Sequence, residues 1–179
     1  MTELLKLLDG RVDVLVNSAG ILDAIEKDFF DVTEPEFDSV INVNLKSTYF
    51  MCQLFAKYFR KQRKKGHIVN VASKTGILPS VKPYGISKWG IVGLTKGLGK
   101  NLAEYGIIVN GVAPGEVATP LLNWEKGVCP ARRANKIGRV TFPCEIAQII
   151  LHLAGCIGEQ LIGEVIDCSG ADTAISLYL

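Results

Sequence analysis

His67-Ile68-Val69-Asn70-Val71-Ala72, with Ser73 directly after it, is the stretch whose reading decides the fold. A short, nearly continuous apolar run rich in β-branched residues, ending in polar ones, makes a strand buried on both faces. Two further runs have the same character. Val12-Asp13-Val14-Leu15-Val16 ends in Asn17-Ser18-Ala19-Gly20, and Ile107-Ile108-Val109-Asn110-Gly111-Val112-Ala113 ends in Pro114-Gly115-Glu116-Val117-Ala118-Thr119. Strands are expected near 12–17, 67–72, 107–113 and 163–168. Helical patterns fill the gaps. One begins near Glu34-Pro35-Glu36, where proline and acidic residues suit a first turn, and continues to about Lys65. A second spans Tyr84 to about Glu104, with Gly106 as its C-cap, and a third covers 146–154. The alternation predicts an α/β fold, a doubly wound parallel sheet whose strands deliver polar residues to their C-terminal edge, where sites form.

Pro83-Tyr84-Gly85-Ile86-Ser87-Lys88-Trp89 sets Tyr84 and Lys88 four residues apart, on one face of a helix. An ammonium beside a phenol favours phenolate, so Lys88 is expected to lower a Tyr84 pKa that starts near about 10. The phenol could then exchange a proton with a substrate hydroxyl or carbonyl. The spacing alone is also that of a tyrosine covering a lysine stem on a solvated face. Ser73, eleven residues before the tyrosine, and Asn44, in Ile41-Asn42-Val43-Asn44-Leu45, are isolated polar residues of the kind that end strands or face solvent.

Together, in this order and at this spacing, these segments resemble the short-chain dehydrogenase/reductase family in its shorter form. The resemblance runs from about Asp13 to Asp167. It implies a Rossmann-like domain and reversible hydride transfer, dependent on NAD or NADP, between a nicotinamide and a secondary alcohol/ketone carbon. Carried over residue by residue, it makes Tyr84 the catalytic acid/base. Lys88 is the residue that tunes Tyr84 and holds the nicotinamide ribose, Ser73 orients the substrate oxygen, and Asn44 kinks a helix and supports a water beside the lysine. Asn17, Ala19 and Gly20 match a segment that stabilises the central sheet and lies along the cofactor, with Ser18 departing from the family asparagine. Pro114, Gly115, Val117 and Thr119 match the segment that closes over the nicotinamide. The separation of Ser73 from Tyr84 is somewhat shorter than is common in the family, which bears on the loop between them.

The family opens with a strand and a Thr-Gly-x-x-x-Gly-x-Gly turn that cradles the pyrophosphate. Nothing in these residues matches that turn, and Gly97-Leu98-Gly99 lies inside a helical pattern. The chain therefore reads as an N-terminally truncated member without the first strands, a single catalytic portion over 1–179 whose hold on a dinucleotide is in question. The alternatives are a non-catalytic remnant or interaction scaffold unable to bind dinucleotide, and a doubly wound binding module without redox chemistry. With its outer neighbours absent, the apolar strand ending at Val16 is expected to sit at a sheet edge with unpaired backbone groups and one or both faces poorly covered, and to self-associate or rearrange there. Residues 121–139, with two candidate helical pieces, Trp124, Cys129 and Arg132-Arg133, correspond to the family's substrate lid. They leave the small-molecule alcohol or carbonyl substrate open among a 3-oxoacyl thioester, a sugar and other ketones.

Composition bounds the partners. With 179 residues, 48% hydrophobic and a net charge of +2, the chain can bury one core and gives no basis for nucleic-acid binding. Its basic run, 57–65, closes a helix and reads as a solvated helix end. Cys52, Cys129, Cys144, Cys156 and Cys168 have neither disulfide nor metal spacing, which places the chain in a reducing, cytoplasmic setting. No metal site and no membrane span is expected. The two histidines, His67 and His152, read as structural. Trp89, Val92, Leu98 and Leu102 recur at helical spacing as a packed face. In the family the two long helices also form a subunit interface, so the resemblance implies a homodimer or homotetramer.

Overall fold

The computed structural model describes residues 2–22, 26–122, 124 and 136–173. Four strands, β1 (Val14–Asn17), β2 (Gly66–Val71), β3 (Ile107–Pro114) and β4 (Val165–Cys168), pair in chain order, every pair parallel. Parallel neighbours require crossovers. Here α2 (Glu34–Val40) and α3 (Ser47–Gln62) link β1 to β2, α4 (Pro83–Leu102) links β2 to β3, and α5 (Pro143–Ala154) links β3 to β4. A short helix, α1 (Thr2–Leu7), precedes β1. This is the parallel α/β sheet that the strand and helix alternation predicts, and the Rossmann-like domain that the resemblance implies.

Side-chain alternation sorts the core into two layers. Leu15, Ile68, Ile107 and Val109 point to one face, where they pack with Phe55 and Phe59 of α3 and Leu98 of α4. Val69 and Val112 point to the other, against Ile146 and Leu153 of α5. Strand β3, covered on both sides, is buried along its whole length. Gly66 starts β2 because nothing larger fits. A Cβ there would lie 2.5 Å from the Phe59 ring.

Among the described residues the outer strand is covered on one face only. Helix α5 packs on β2 and β3, leaving Val14 and Val16 of β1 exposed at 37% and 42%. The edge expected for this strand is present.

The first long helix differs from expectation in its middle and at its end. Between α2 and α3, Ile41–Lys46 forms a π turn, and α3 stops at Gln62 because Arg63 takes a left-handed conformation at φ 50°. Helix α4 starts at Pro83 and closes through a 3-10 turn, Ala103–Tyr105, onto Gly106 at φ 71°, the expected C-cap. Trp89 does not join the packed stripe. It is half-exposed and donates its indole N–H to the Leu78 carbonyl at 2.6 Å. The basic run is more engaged than a solvated helix end. Lys64 pairs with Asp13 at 2.8 Å, Lys65 with Glu159 at 3.0 Å, and the Arg60 guanidinium lies 4.7 Å from the Tyr105 ring centroid. Among the described residues no helix is long and apolar enough to cross a membrane, and no cluster of metal-ligating side chains occurs.

Candidate active site

Ser73, Tyr84, Lys88, Asn44 and Gly20 meet at the carboxyl edge of the sheet, brought there by the turn after β2, helix α4, the π turn and the loop after β1. Ser73 follows β2 in extended conformation and caps a 3-10 turn, Lys74–Gly76. Its Oγ accepts hydrogen bonds from the Thr75 N–H at 3.3 Å and the Thr75 hydroxyl at 3.1 Å. Gly76 presses this turn onto α4, since a Cβ there would stand 2.7 Å from the Lys88 backbone. Tyr84 and Lys88 occupy the first turns of α4, which Pro83 opens.

Lys88 is 4% exposed. Its ammonium donates to the Val71 carbonyl, the last of β2, at 2.9 Å and lies 5.5 Å from the Tyr84 ring centroid. Burial pushes Lys88 down to about 8. The expected lowering of Tyr84 by Lys88 is not what the geometry gives. Burial pushes the phenol above its ordinary value, and a hydrogen bond from Ser73 opposes that shift. Spacing identified the neighbour, but desolvation dominates.

Asn44 sits fully buried in the π turn. Its Oδ1 accepts from the Ile21 N–H at 2.9 Å, while Nδ2 donates to the Ile21 carbonyl at 3.1 Å and to Ser87 Oγ at 3.1 Å. Ser87 in turn donates to the Tyr84 carbonyl at 2.6 Å. The π turn is thereby tied both to the loop after β1 and to the tyrosine's own helical turn. Gly20 passes close by: a Cβ there would lie 3.3 Å from Asn44 Oδ1 and 3.6 Å from Lys88 Nζ. Asn17 faces inward along the sheet. Its Nδ2 donates to Asn70 Oδ1 at 2.9 Å and to Cys52 Sγ at 3.3 Å, and Asn70 Nδ2 passes the chain on to Thr95 Oγ1 at 3.0 Å. Ala19 is exposed beside it.

The second arm of the edge follows β3. Pro114 is buried, and Gly115 lies so close to the end of β4 that a Cβ would meet Ser169 at 3.0 Å. Val117 bridges Thr141 in parallel, and the Thr119 hydroxyl turns back to the Val117 carbonyl at 3.3 Å. Past a 3-10 turn at Pro120–Leu122, the lid expected at 121–139 falls mostly outside the described residues. Sequence reasoning missed Ile21, Asn70, Thr75, Ser87 and Thr95. Only Asn70 carried a signal, as an amide inside an apolar strand.

Residues 1–126 match the short chain dehydrogenase family. The chain belongs to that family. Similarity extends past the match. Over 166 residues the chain is 43% identical to a 3-oxoacyl-[acyl-carrier-protein] reductase, FabG, of Thermotoga maritima, covering 90% of this chain and 66% of the relative. It is 32% identical over 169 residues to 2-dehydro-3-deoxy-D-gluconate 5-dehydrogenase of Escherichia coli strain K12, covering 90% and 65%. A 4-hydroxyisoleucine dehydrogenase solved with NADH superposes with a TM-score of 0.83 at 26% identity, over 98% of this chain and 75% of that one. The chain spans about two thirds of the length of these curated relatives.

Proposed function

We propose that this chain is the catalytic part of an NAD(P)-dependent oxidoreductase that interconverts a secondary alcohol and a ketone, with a 3-oxoacyl thioester as the favoured substrate class. The observation that carries this reading is the convergence of the Ser73 hydroxyl, the Tyr84 phenol and the buried Lys88 ammonium at one sheet edge. The identity to a 3-oxoacyl reductase supports the substrate class.

The chemistry divides among these side chains. Ser73 Oγ accepts two hydrogen bonds from Thr75, and its own proton is directed to the Tyr84 phenol, where a substrate oxygen would take it over. It would donate that proton as a hydrogen bond to the substrate carbonyl, polarising it as negative charge develops. Tyr84, held above its ordinary value by burial, is protonated at neutral pH and suited to deliver its proton to the nascent alkoxide. Lys88 spends one N–H on Val71 and keeps two for the phenol side and a ribose hydroxyl. A bound nicotinamide dinucleotide would supply the hydride. Lys88, Tyr84, Gly20 and residues 114–119 fit its nicotinamide end, with Asn17 and Ala19 on the strand arm. Asn44 would place a water beside Lys88 for proton return.

The outer faces of α3 and α4 leave Tyr49, Phe50, Leu54, Ile86 and Trp89 half-exposed, and nothing stands within 4 Å of a Cβ at Gly93 or Gly97. Such a face supports a homodimer or homotetramer. Cys52, Cys144, Cys156 and Cys168 are free thiols, which suits the cytoplasm.

The test titrates NADH and NADPH separately by calorimetry and then follows their oxidation with a 3-oxoacyl thioester and with a ketosugar. Saturable binding and thioester-dependent turnover are expected, with Tyr84→Phe losing about a hundredfold or more in kcat while binding persists. Absence of binding to either dinucleotide would sink the reading.

A further inference from the structure

The residues after β4 bind both arms of the candidate site at once. Asp172 forms a 2.8 Å ion pair with Lys74, the residue next to Ser73, and its side chain is only 7% exposed. The same segment begins at Ser169, which is 1% exposed and lies against Gly115, whose N–H donates to the Cys168 carbonyl at 3.4 Å. The intervening turn is held tightly. The Asp167 carboxylate accepts from the Ser169 N–H at 2.8 Å and from the Thr173 hydroxyl. Gly170 and Ala171 both stand at φ 67°, a left-handed conformation that alanine adopts only under constraint.

From this we infer that residues 169–173 are a clamp. Through the Asp172–Lys74 pair they position the Ser73 turn relative to the Pro114-Gly115 arm, making Asp172 and Lys74 positioning residues for the serine. The physical reason is leverage. Ser73 is held by its own turn and by α4, through the Thr75 cap, the Gly76 N–H on its carbonyl and the hydrogen bond to Tyr84, and its turn must keep its distance from a loop that belongs to another strand. A charge pair largely withdrawn from water, anchored in a turn that touches that other loop, fixes the spacing in a way that neither loop can alone. No other ion pair among the described residues links the two arms.

This inference rests on the proposed reductase activity, and its test separates the two. Hydrogen exchange is followed at the amides of Gly76, Ile77 and Leu78, which donate to the Ser73 and Lys74 carbonyls, in wild type, Asp172→Asn and Lys74→Gln. Steady-state reduction is measured in parallel. Both variants are expected to exchange at these amides roughly tenfold faster, with β2 and β3 amides unchanged. They are also expected to lose roughly tenfold in kcat with the dinucleotide KM unaltered. Lys74→Arg, which keeps the pair, should behave as wild type. Using two variants, one from the less buried side, guards against a single misfolded protein. Wild-type exchange in both variants would overturn the clamp. Faster exchange with wild-type kcat would also overturn it, since the pair would then hold the turn without serving the serine. If wild type reduces no ketone with either dinucleotide, the reductase reading falls, and the exchange result alone decides whether the pair holds the turn.

Discussion

The Asn44 carboxamide grips Ile21 by both of its backbone groups, accepting from the N–H at 2.9 Å and donating to the carbonyl at 3.1 Å. One side chain in a π turn thus fixes the loop that leaves β1. Asn44→Leu, close in volume, would strand the Ile21 groups and Ser87 Oγ in a buried setting and should lower stability by about 1–3 kcal/mol. Urea unfolding checks it, and a variant as stable as wild type would show the loop to be held by something else.

Gly76 sets the distance between the serine turn and α4. In Gly76→Ala the added carbon would start 2.7 Å from the Lys88 backbone, so the turn must lift. A loss of about 1–3 kcal/mol is expected, together with a fall in kcat larger than any change in dinucleotide affinity. Thermal unfolding and steady-state kinetics on the same preparation separate the two effects.

Buried Lys88 gives stability a signature in pH. Its folded-state value is near 8, against 10.5 unperturbed, so the unfolded chain binds more protons between those limits and stability rises with pH across them. Relative to Lys88→Met, wild type should gain about 2 kcal/mol between pH 8 and pH 10. Tyr84, raised in the fold, contributes in the opposite direction: its stabilisation is present below about 10 and is lost above it, so the comparison stops there. Equal pH slopes for the two proteins would mean that Lys88 is solvated.

The outer edge of β1 invites partners. Val14 and Val16 are exposed on a strand with no outer neighbour among the described residues, and such edges pair with whatever strand they meet. Sedimentation velocity should show concentration-dependent association beyond any α3–α4 dimer, and Val16→Lys should reduce it. A wild-type distribution that does not change with concentration would count against this edge as the contact.

Legibility in the sequence followed the range of the interaction. The strands could be placed within about two residues because their apolar runs are local and ended by polar or glycine residues. Gly106 announced its own left-handed cap. The motif residues Ser73, Tyr84, Lys88 and Asn44 do lie together, because strand ends and a helix start converge at a parallel sheet's carboxyl edge. The π turn at 41–46 leaves no periodic trace in the side chains, being a single i to i+5 register, and only the helix kink that the resemblance implies at Asn44 pointed to that segment. The Tyr84 shift went the other way for a related reason: a four-residue spacing names a neighbour and says nothing about water. Lys74 and Asp172 are 98 residues apart, and no local pattern connects them.

The buried chain from Asn17 through Asn70 to Thr95 has a consequence for how β1 finds its place. Apolar strands can slide along each other at little cost when every position is greasy. Here a shift by one residue would carry the Asn17 amide to the opposite side of the sheet and leave Asn70 facing hydrocarbon. The three polar groups act as an error check on strand alignment, since only the native register satisfies them together.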